Sequence, residues 1–318
     1  MDNVLITGIS GEVGHGLIKK LYALGYKPYA LDLKTPEKEI SDKLEKFYEG
    51  DITDRNLIDR IFNENDFQIV IHLASILSTG GEKNPELASQ VNVVGTLNLL
   101  EATTHHSLST NHSVRFVFPS SIAAHGDPIT IYGVSKLACE NLGRYFSKNY
   151  KLLDTSIDRN NLIDFRCVRF PGLLSPDTLP SGGTSDYGPE MLHAAAQNKS
   201  YECFVKEDST IPFMAMADAA EILYKLATVE KEKLTREVYE VGGFSVSAGQ
   251  IFEMTKKYFP EFQMTYKINE ERQKIVDSWP KEVSSSESEK DWEYELQYDF
   301  EKTFSEYLIP KIKERYKN

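Results

Sequence analysis

Three glycines at a fixed spacing constrain this chain more than any other feature. Gly8, Gly11 and Gly14, in the run Thr7-Gly8-Ile9-Ser10-Gly11-Glu12-Val13-Gly14, lie between the apolar segment Val4-Leu5-Ile6-Thr7 and an amphipathic stretch from Gly11 to about Leu24. In a strand that turns into a helix through T-G-x-x-G-x-x-G, each glycine has a task. Gly8 permits the tight turn, Gly11 lets the backbone approach a pyrophosphate, and Gly14 allows helix and strand to pack closely. The N–H groups that open the helix then face an anion without help from a basic side chain.

Beyond the turn the same strand-then-helix plan repeats. Short apolar runs at Pro28–Leu33, Phe47–Gly50, Ile69–Leu73, Arg115–Phe118 and Asp164–Arg169 alternate with helical stretches, among them Pro85 to about Thr103 and Tyr132 to about Asn149. That rhythm predicts an α/β fold, a doubly wound parallel sheet of the Rossmann type covered on both faces. After Phe170 it breaks: Pro171, Pro176, Pro180, Gly182 and Gly183 crowd into what reads as a long loop, and long loops in compact domains carry function. Helical patterns recur at Tyr187–Gln197, Ala217–Ala227, Ala248–Tyr258 and Phe300–Glu314, strand-like pieces at Glu237–Val241 and Gln263–Lys267, and Ser284–Lys290 reads as a solvated loop. The expected division is a nucleotide-binding domain over 1–170, rejoined by 213–245, and a smaller substrate-binding lobe over most of 171–318.

Composition narrows the partners. Among 318 residues, 48 acidic side chains against 36 basic ones leave a net charge of −12, which repels phosphate backbones and anionic lipid, so neither nucleic acid nor a membrane is expected. Cys139, Cys167 and Cys203 show no C-x-x-C spacing and read as small buried hydrophobes. No charged leader precedes Val4 and no apolar run approaches the ~18 residues of a membrane span, so the expectation is a soluble, cytoplasmic protein. His105, His106 and His112 fall in a Ser/Thr/Asn-rich stretch read as a loop, with no carboxylate or cysteine at ligand spacing; no metal is expected.

Asp32 lies 18 positions after Gly14, at the end of the second predicted strand. There a carboxylate accepts hydrogen bonds from an adenosine ribose and repels a 2′-phosphate, which points to NAD rather than NADP. Asp51, after the third strand, suits an adenine amine. Tyr132 and Lys136 stand at i and i+4, on one helix face. Such a pair occurs by chance in many helices, but this one follows a strand ending Pro119-Ser120-Ser121, which delivers a hydroxyl to the carboxyl edge of the sheet. Bringing a tyrosine from its ordinary pKa of ~10 toward neutrality requires roughly 3–4 kcal/mol of phenolate stabilisation. An ammonium at ~4 Å supplies about that much, so Lys136 is expected to suffice.

The glycine turn, Asp32, the strand end His72-Leu73-Ala74, Asn92, Ser121 and the Tyr132/Lys136 pair together resemble the extended, nucleotide-sugar-epimerase-like branch of the short-chain dehydrogenases. Within that branch the chain is most similar to the short-chain-type L-threonine 3-dehydrogenases, through Ser75-Ile76-Leu77-Ser78, Arg169-Phe170-Pro171-Gly172, Gly182-Gly183-Thr184-Ser185-Asp186-Tyr187 and Asp277-Ser278-Trp279-Pro280. The resemblance implies Tyr132 as general base, Lys136 and Ser121 as its catalytic partners, and NAD as cofactor. It implies a cofactor site of Gly8, Ser10, Gly11, Glu12, Val13, Gly14, Asp32, Asp51, Ile52, Leu73, Ala74, Ser75 and Asn92 with Tyr132 and Lys136. Ser78, Ser121, Thr184, Asp186 and Trp279 would meet a small zwitterionic substrate. It also implies a homodimer paired through the helices over 85–103 and 132–149.

Two departures bear on the substrate. Only 11 positions separate Ser121 from Tyr132, a shorter connection than this family carries, and His125 and Ala215 stand where aromatic residues are usual. Oxidation of L-threonine to 2-amino-3-oxobutanoate is the leading expectation. A different 3-hydroxy amino acid, a nucleotide-sugar epimerase or dehydratase, and an idle NAD-sensing protein are its rivals.

Overall fold

A computed structural model describes residues 2–180 and 182–317. Seven strands form one parallel sheet: β1 (Val4–Thr7), β2 (Tyr29–Asp32), β3 (Lys46–Glu49), β4 (Ile69–His72), β5 (Arg115–Ser121) and β6 (Asp164–Phe170), with β10 (Val238–Glu240) at one edge. Their order, β10-β6-β5-β4-β1-β2-β3, reverses direction beside β1. Ligands of doubly wound sheets bind outside the carboxyl ends of the strands at such a switch point. The α/β expectation therefore stands.

Alternate residues of the strands feed two cores, one on each face. Val4, Ile6, Ile69, Ile71, Val117 and Val168 pack on one side, while Leu5, Leu31, Val70, Phe116, Phe165 and Cys167 pack on the other. A strand buried on both faces has no polar side to show, which is why these runs read as continuously apolar. Cys139, Cys167 and Cys203 are all buried and unpaired with one another.

The remaining strands make two small sheets. β7 (Gly172–Leu174) pairs parallel with β9 (Thr210–Ala215), and β9 pairs antiparallel with β11 (Phe244–Ser247). β8 (Tyr201–Cys203) pairs with β12 (Met264–Tyr266). Between β9 and β10, the helix Met216–Thr228 lies against the first helix, Glu12–Ala23, with Lys20 and Glu221 paired across the contact. Among the described residues no helix is long and apolar enough to cross a membrane.

Three expectations are corrected. The proline-rich stretch after Phe170 does contain a strand, β7, because three residues fit between Pro171 and Ser175 and their backbone finds β9. Ser284–Lys290 is not simply a solvated loop: Ser286–Trp292 is helical, anchored where Ser288 donates to the Glu240 carbonyl at 2.9 Å and Asp291 accepts from the Tyr239 hydroxyl at 2.6 Å. His105 and His106 belong to the helix Gly95–Thr110, and only His112 lies beyond it, after Asn111 at a left-handed φ of 56°.

Candidate active site

At the carboxyl edge of the large sheet a cavity of about 280 Å³ runs from the glycine turn to Trp279. Its floor is built from β1. Gly8 has φ +76°, and a Cβ there would sit 2.5 Å from the Ala74 nitrogen, so only glycine lets β1 and the exit of β4 approach. A Cβ on Gly14 would lie 2.6 Å from the Ile9 carbonyl carbon, so the helix can begin only where that Cβ is missing. Gly11 caps this helix without any side chain bonded to the first-turn N–H groups. They and the positive end of the helix dipole are therefore ready for an anion.

Beside the turn, the Asp32 carboxylate accepts from the Ser10 N–H at 2.9 Å and the Lys34 N–H at 3.2 Å, which fixes its two oxygens at the end of β2. Asp51 accepts from the Thr53 N–H at 2.8 Å and Ile52 is buried behind it. Gly8, Gly11, Glu12, Val13, Gly14, Leu73 and Ser75 line the cavity; Ser10, Asp32, Asp51, Ile52, Ala74 and Asn92 do not. Asn92 is placed as a clamp: its amide accepts from the Ile76 N–H at 2.7 Å and donates to the Ile76 carbonyl at 3.0 Å and the Ser135 hydroxyl at 3.1 Å. It ties the loop after β4 to the helix Ile131–Lys148, and no donor of its amide remains for a ligand.

That helix starts at Thr130, whose hydroxyl accepts from the Gly133 N–H at 3.1 Å. It presents Tyr132 and Lys136 to the cavity together with Ser121 from the last residue of β5. Tyr132 is hydrogen-bonded to the Ser121 side chain, yet burial outweighs that bond and pushes its hydroxyl up to about 12. Lys136 is buried, and burial lowers its ammonium to about 8; Nζ donates to the Pro119 carbonyl at 2.8 Å and stands 5.6 Å from the Tyr132 ring centroid. Burial thus opposes the phenolate that Lys136 is expected to stabilise, and it also disfavours the charge of the lysine itself.

Beneath the pair runs a network that the Tyr132/Lys136 spacing alone does not reveal. Ser120 donates to buried Glu140 at 2.6 Å, and Arg169 closes on both oxygens of that carboxylate at 2.8 and 2.7 Å. Glu140 stands at i+4 from Lys136, so the same helical periodicity could have found it.

Across the cavity lies the 182–187 loop. Thr184 and Ser78 share a hydrogen bond of 3.0 Å, both buried. The Asp186 carboxylate accepts from the Gly182 and Gly183 N–H groups at 2.8 and 2.7 Å, while Arg272 donates to the Gly183 carbonyl at 2.7 Å with its guanidinium over the Phe204 ring. Ser78, Thr184, Asp186 and half-buried Trp279 all line the cavity. His125 and Ala215 do not: the first turns outward to Glu240 at 3.0 Å and the second is buried at the end of β9. The short connection after Ser121 begins with one 3-10 turn, Ile122–Ala124, on which Gly133 rests so closely that a Cβ would sit 3.1 Å from the Ala123 carbonyl carbon.

Glycines whose side chains the fold forbids, an uncapped helix start and an acidic strand end suit a dinucleotide. Comparison with known proteins agrees. Residues 4–242 match the family model described as the NAD dependent epimerase/dehydratase family. The mitochondrial L-threonine 3-dehydrogenase of Bos taurus is 32% identical over 94% of this chain and 79% of its own length. The L-threonine dehydrogenase of Clostridium difficile, solved by X-ray methods, superposes with a TM-score of 0.87 at 32% identity, covering 99% of this chain and 98% of that one. A monomeric L-threonine 3-dehydrogenase from a metagenome, in its apo form, gives 0.86 at 33% identity over 99% of this chain and 100% of the other. With 239 consecutive residues inside the family model, the chain belongs to the NAD-dependent epimerase/dehydratase family and is an NAD-dependent enzyme of the short-chain dehydrogenase type.

Proposed function

We propose that this protein oxidises the side-chain hydroxyl of L-threonine to give 2-amino-3-oxobutanoate. The observation that carries the reading is the small hydroxyl-rich cavity in which Ser121 and Tyr132 face Ser78 and Thr184. A zwitterion needs donors for its carboxylate and acceptors for its ammonium in a dehydrated pocket. Ser78 and Thr184 offer the first, and the Asp186 carboxylate the second. Lys136 is the only cationic side chain among the described lining residues, which suits a small substrate better than a diphosphate-linked sugar.

Tyr132, as its phenolate, takes the proton of the C3 hydroxyl while Ser121 orients that hydroxyl, and the C3 hydrogen leaves with the C–H electron pair as the carbonyl forms. NAD, when bound, would supply the acceptor for that hydride and a positive charge that favours the phenolate. Gly8, Gly11, Glu12, Val13 and Gly14 would hold the pyrophosphate, Ser10 and Asp32 the adenosine ribose, and Asp51 and Ile52 the adenine. Leu73, Ala74 and Ser75 would border the nicotinamide half, with Asn92 holding that border in place. Lys136 keeps donors beyond the one given to Pro119, and these would hold the nicotinamide ribose. Trp279 closes the substrate end. Exposed Leu87, Val94, Val134 and Tyr145, on the helices between 85 and 148, give a homodimer its contact.

The test follows NADH absorbance with L-threonine, its diastereomers and other 3-hydroxy amino acids beside UDP- and dTDP-sugars. L-Threonine is expected to give the fastest turnover, and Tyr132→Phe to lower it by about 10²–10⁴ with NAD binding retained. Turnover on a sugar nucleotide alone would replace this reading. NAD binding without turnover on any of them would make the protein a sensor.

A further inference from the structure

The opposite edge of the large sheet carries a second cluster that the dehydrogenase chemistry does not use. Asp66 lies just before β4, His106 in the last turns of the helix Gly95–Thr110, and His112 just beyond the left-handed Asn111 that ends it. His106 Nε2 is 2.9 Å and His112 Nε2 3.8 Å from Asp66 Oδ1, and the three ligand atoms all lie within 4.8 Å of one another. From these atoms we propose a site for a divalent transition-metal ion, zinc in the first instance, bound by Asp66, His106 and His112.

Two observations support a cation there. Tetrahedral zinc with bonds of about 2.0–2.1 Å sets its ligands roughly 3.3 Å apart, and 2.9 and 3.8 Å straddle that spacing. The Asp66 carboxylate lies 2.9 Å from His106 Nε2 and the Phe67 carbonyl 3.3 Å from His112 Nε2, so oxygens bearing negative charge converge on both ring nitrogens and favour a positive charge between them. A metal ion supplies that charge and draws in His112, whose ring stands perpendicular to that of His106 with centroids 5.9 Å apart. The His106 side chain is 9% exposed, His112 is half-buried and Asp66 exposed, so an ion reaches the site from the Asp66 side and keeps water as its fourth ligand.

The strand Ile69–His72, about 13 Å long, separates the site from the carboxyl edge. There the ion clips a helix C-terminus to the entry of β4. It stabilises the fold and takes no part in turnover.

Tag-free protein, stripped with chelator, is titrated with Co²⁺ and then Zn²⁺. One cobalt per chain with the visible absorption of a tetrahedral ion, displaced by zinc, is expected, with a zinc-dependent rise in the thermal midpoint. Asp66→Asn and His112→Ala, both outside the core, are each expected to weaken binding by at least about tenfold and to abolish the rise, while His125→Ala leaves both unchanged. Substoichiometric cobalt, or binding that survives both Asp66→Asn and His112→Ala, overturns the proposal.

Discussion

Two glycine-containing loops face each other across the cavity, and they are held by opposite means. The turn over residues 7–14 is held by what is absent: Gly8 and Gly14 leave no room for a Cβ against Ala74 and Ile9. The loop over 182–187 is held by what is present: Asp186 gathers two N–H groups, Arg272 grips the Gly183 carbonyl, and Ser78 meets Thr184. A backbone cradle suits a cofactor used unchanged across many enzymes. A cradle of side chains can be retuned for a substrate one residue at a time.

The largest effect belongs to the first loop. Gly14→Ala forces a methyl against the Ile9 carbonyl, and overpacking against backbone costs about 1–3 kcal/mol or more. Thermal unfolding with and without NAD is expected to show a lowered midpoint and loss of the stabilisation NAD confers. Normal NAD binding by this variant would break the contrast.

A smaller and more selective effect is expected across the cavity. Asp186→Ala removes two hydrogen bonds from the half-buried Gly182 and Gly183 N–H groups, which water partly replaces, at a net cost of about 1.5 kcal/mol. Steady-state kinetics should show KM for L-threonine raised by about tenfold or more, with the dissociation constant of NAD unchanged. A parallel loss of NAD affinity would mean that the two loops are not independent.

The smallest effect compares acid sensitivity. Each side has one buried histidine held neutral: His72, between the Thr7 and Thr96 hydroxyls, lowered by burial to about 3, and His193, beside Tyr316, lowered by burial and the Arg315 charge to about 4. The unfolded chain protonates these rings near ~6.5 while the folded one resists. Their contribution to stability is therefore present above that pH and is lost as pH falls through it toward the folded values. Each adds a slope of at most about 1.4 kcal/mol per pH unit below ~6.5. Urea unfolding between pH 8 and 5 should show that slope, and His72→Gln or His193→Gln should each flatten it. A single transition at every pH would show that the two sides unfold together.

The legible parts of this protein are those whose cause is local. Steric need for glycine at 8 and 14, alternation of apolar strands and the i, i+4 relation of Tyr132 and Lys136 all act within a few residues. The neighbouring Lys136-to-Glu140 step is equally local, yet it has no meaning until its distant partner Arg169 is in place. Ser284–Lys290 misleads because a short polar segment reveals nothing of the Tyr239 and Glu240 groups waiting to fix it.

The parallel sheet, the dinucleotide turn and the face on which Tyr132 and Lys136 sit are thus set by the order of residues alone. Three-dimensional packing is needed before Asn92 clamps two segments, His125 and Ala215 point away from the cavity, and burial holds the Tyr132 phenol high. The same packing brings Asp66 to His106 and His112. The difference is one of range: sterics and helical periodicity are written into neighbouring residues, whereas desolvation, charge and coordination depend on which distant residues the fold brings within a few ångströms.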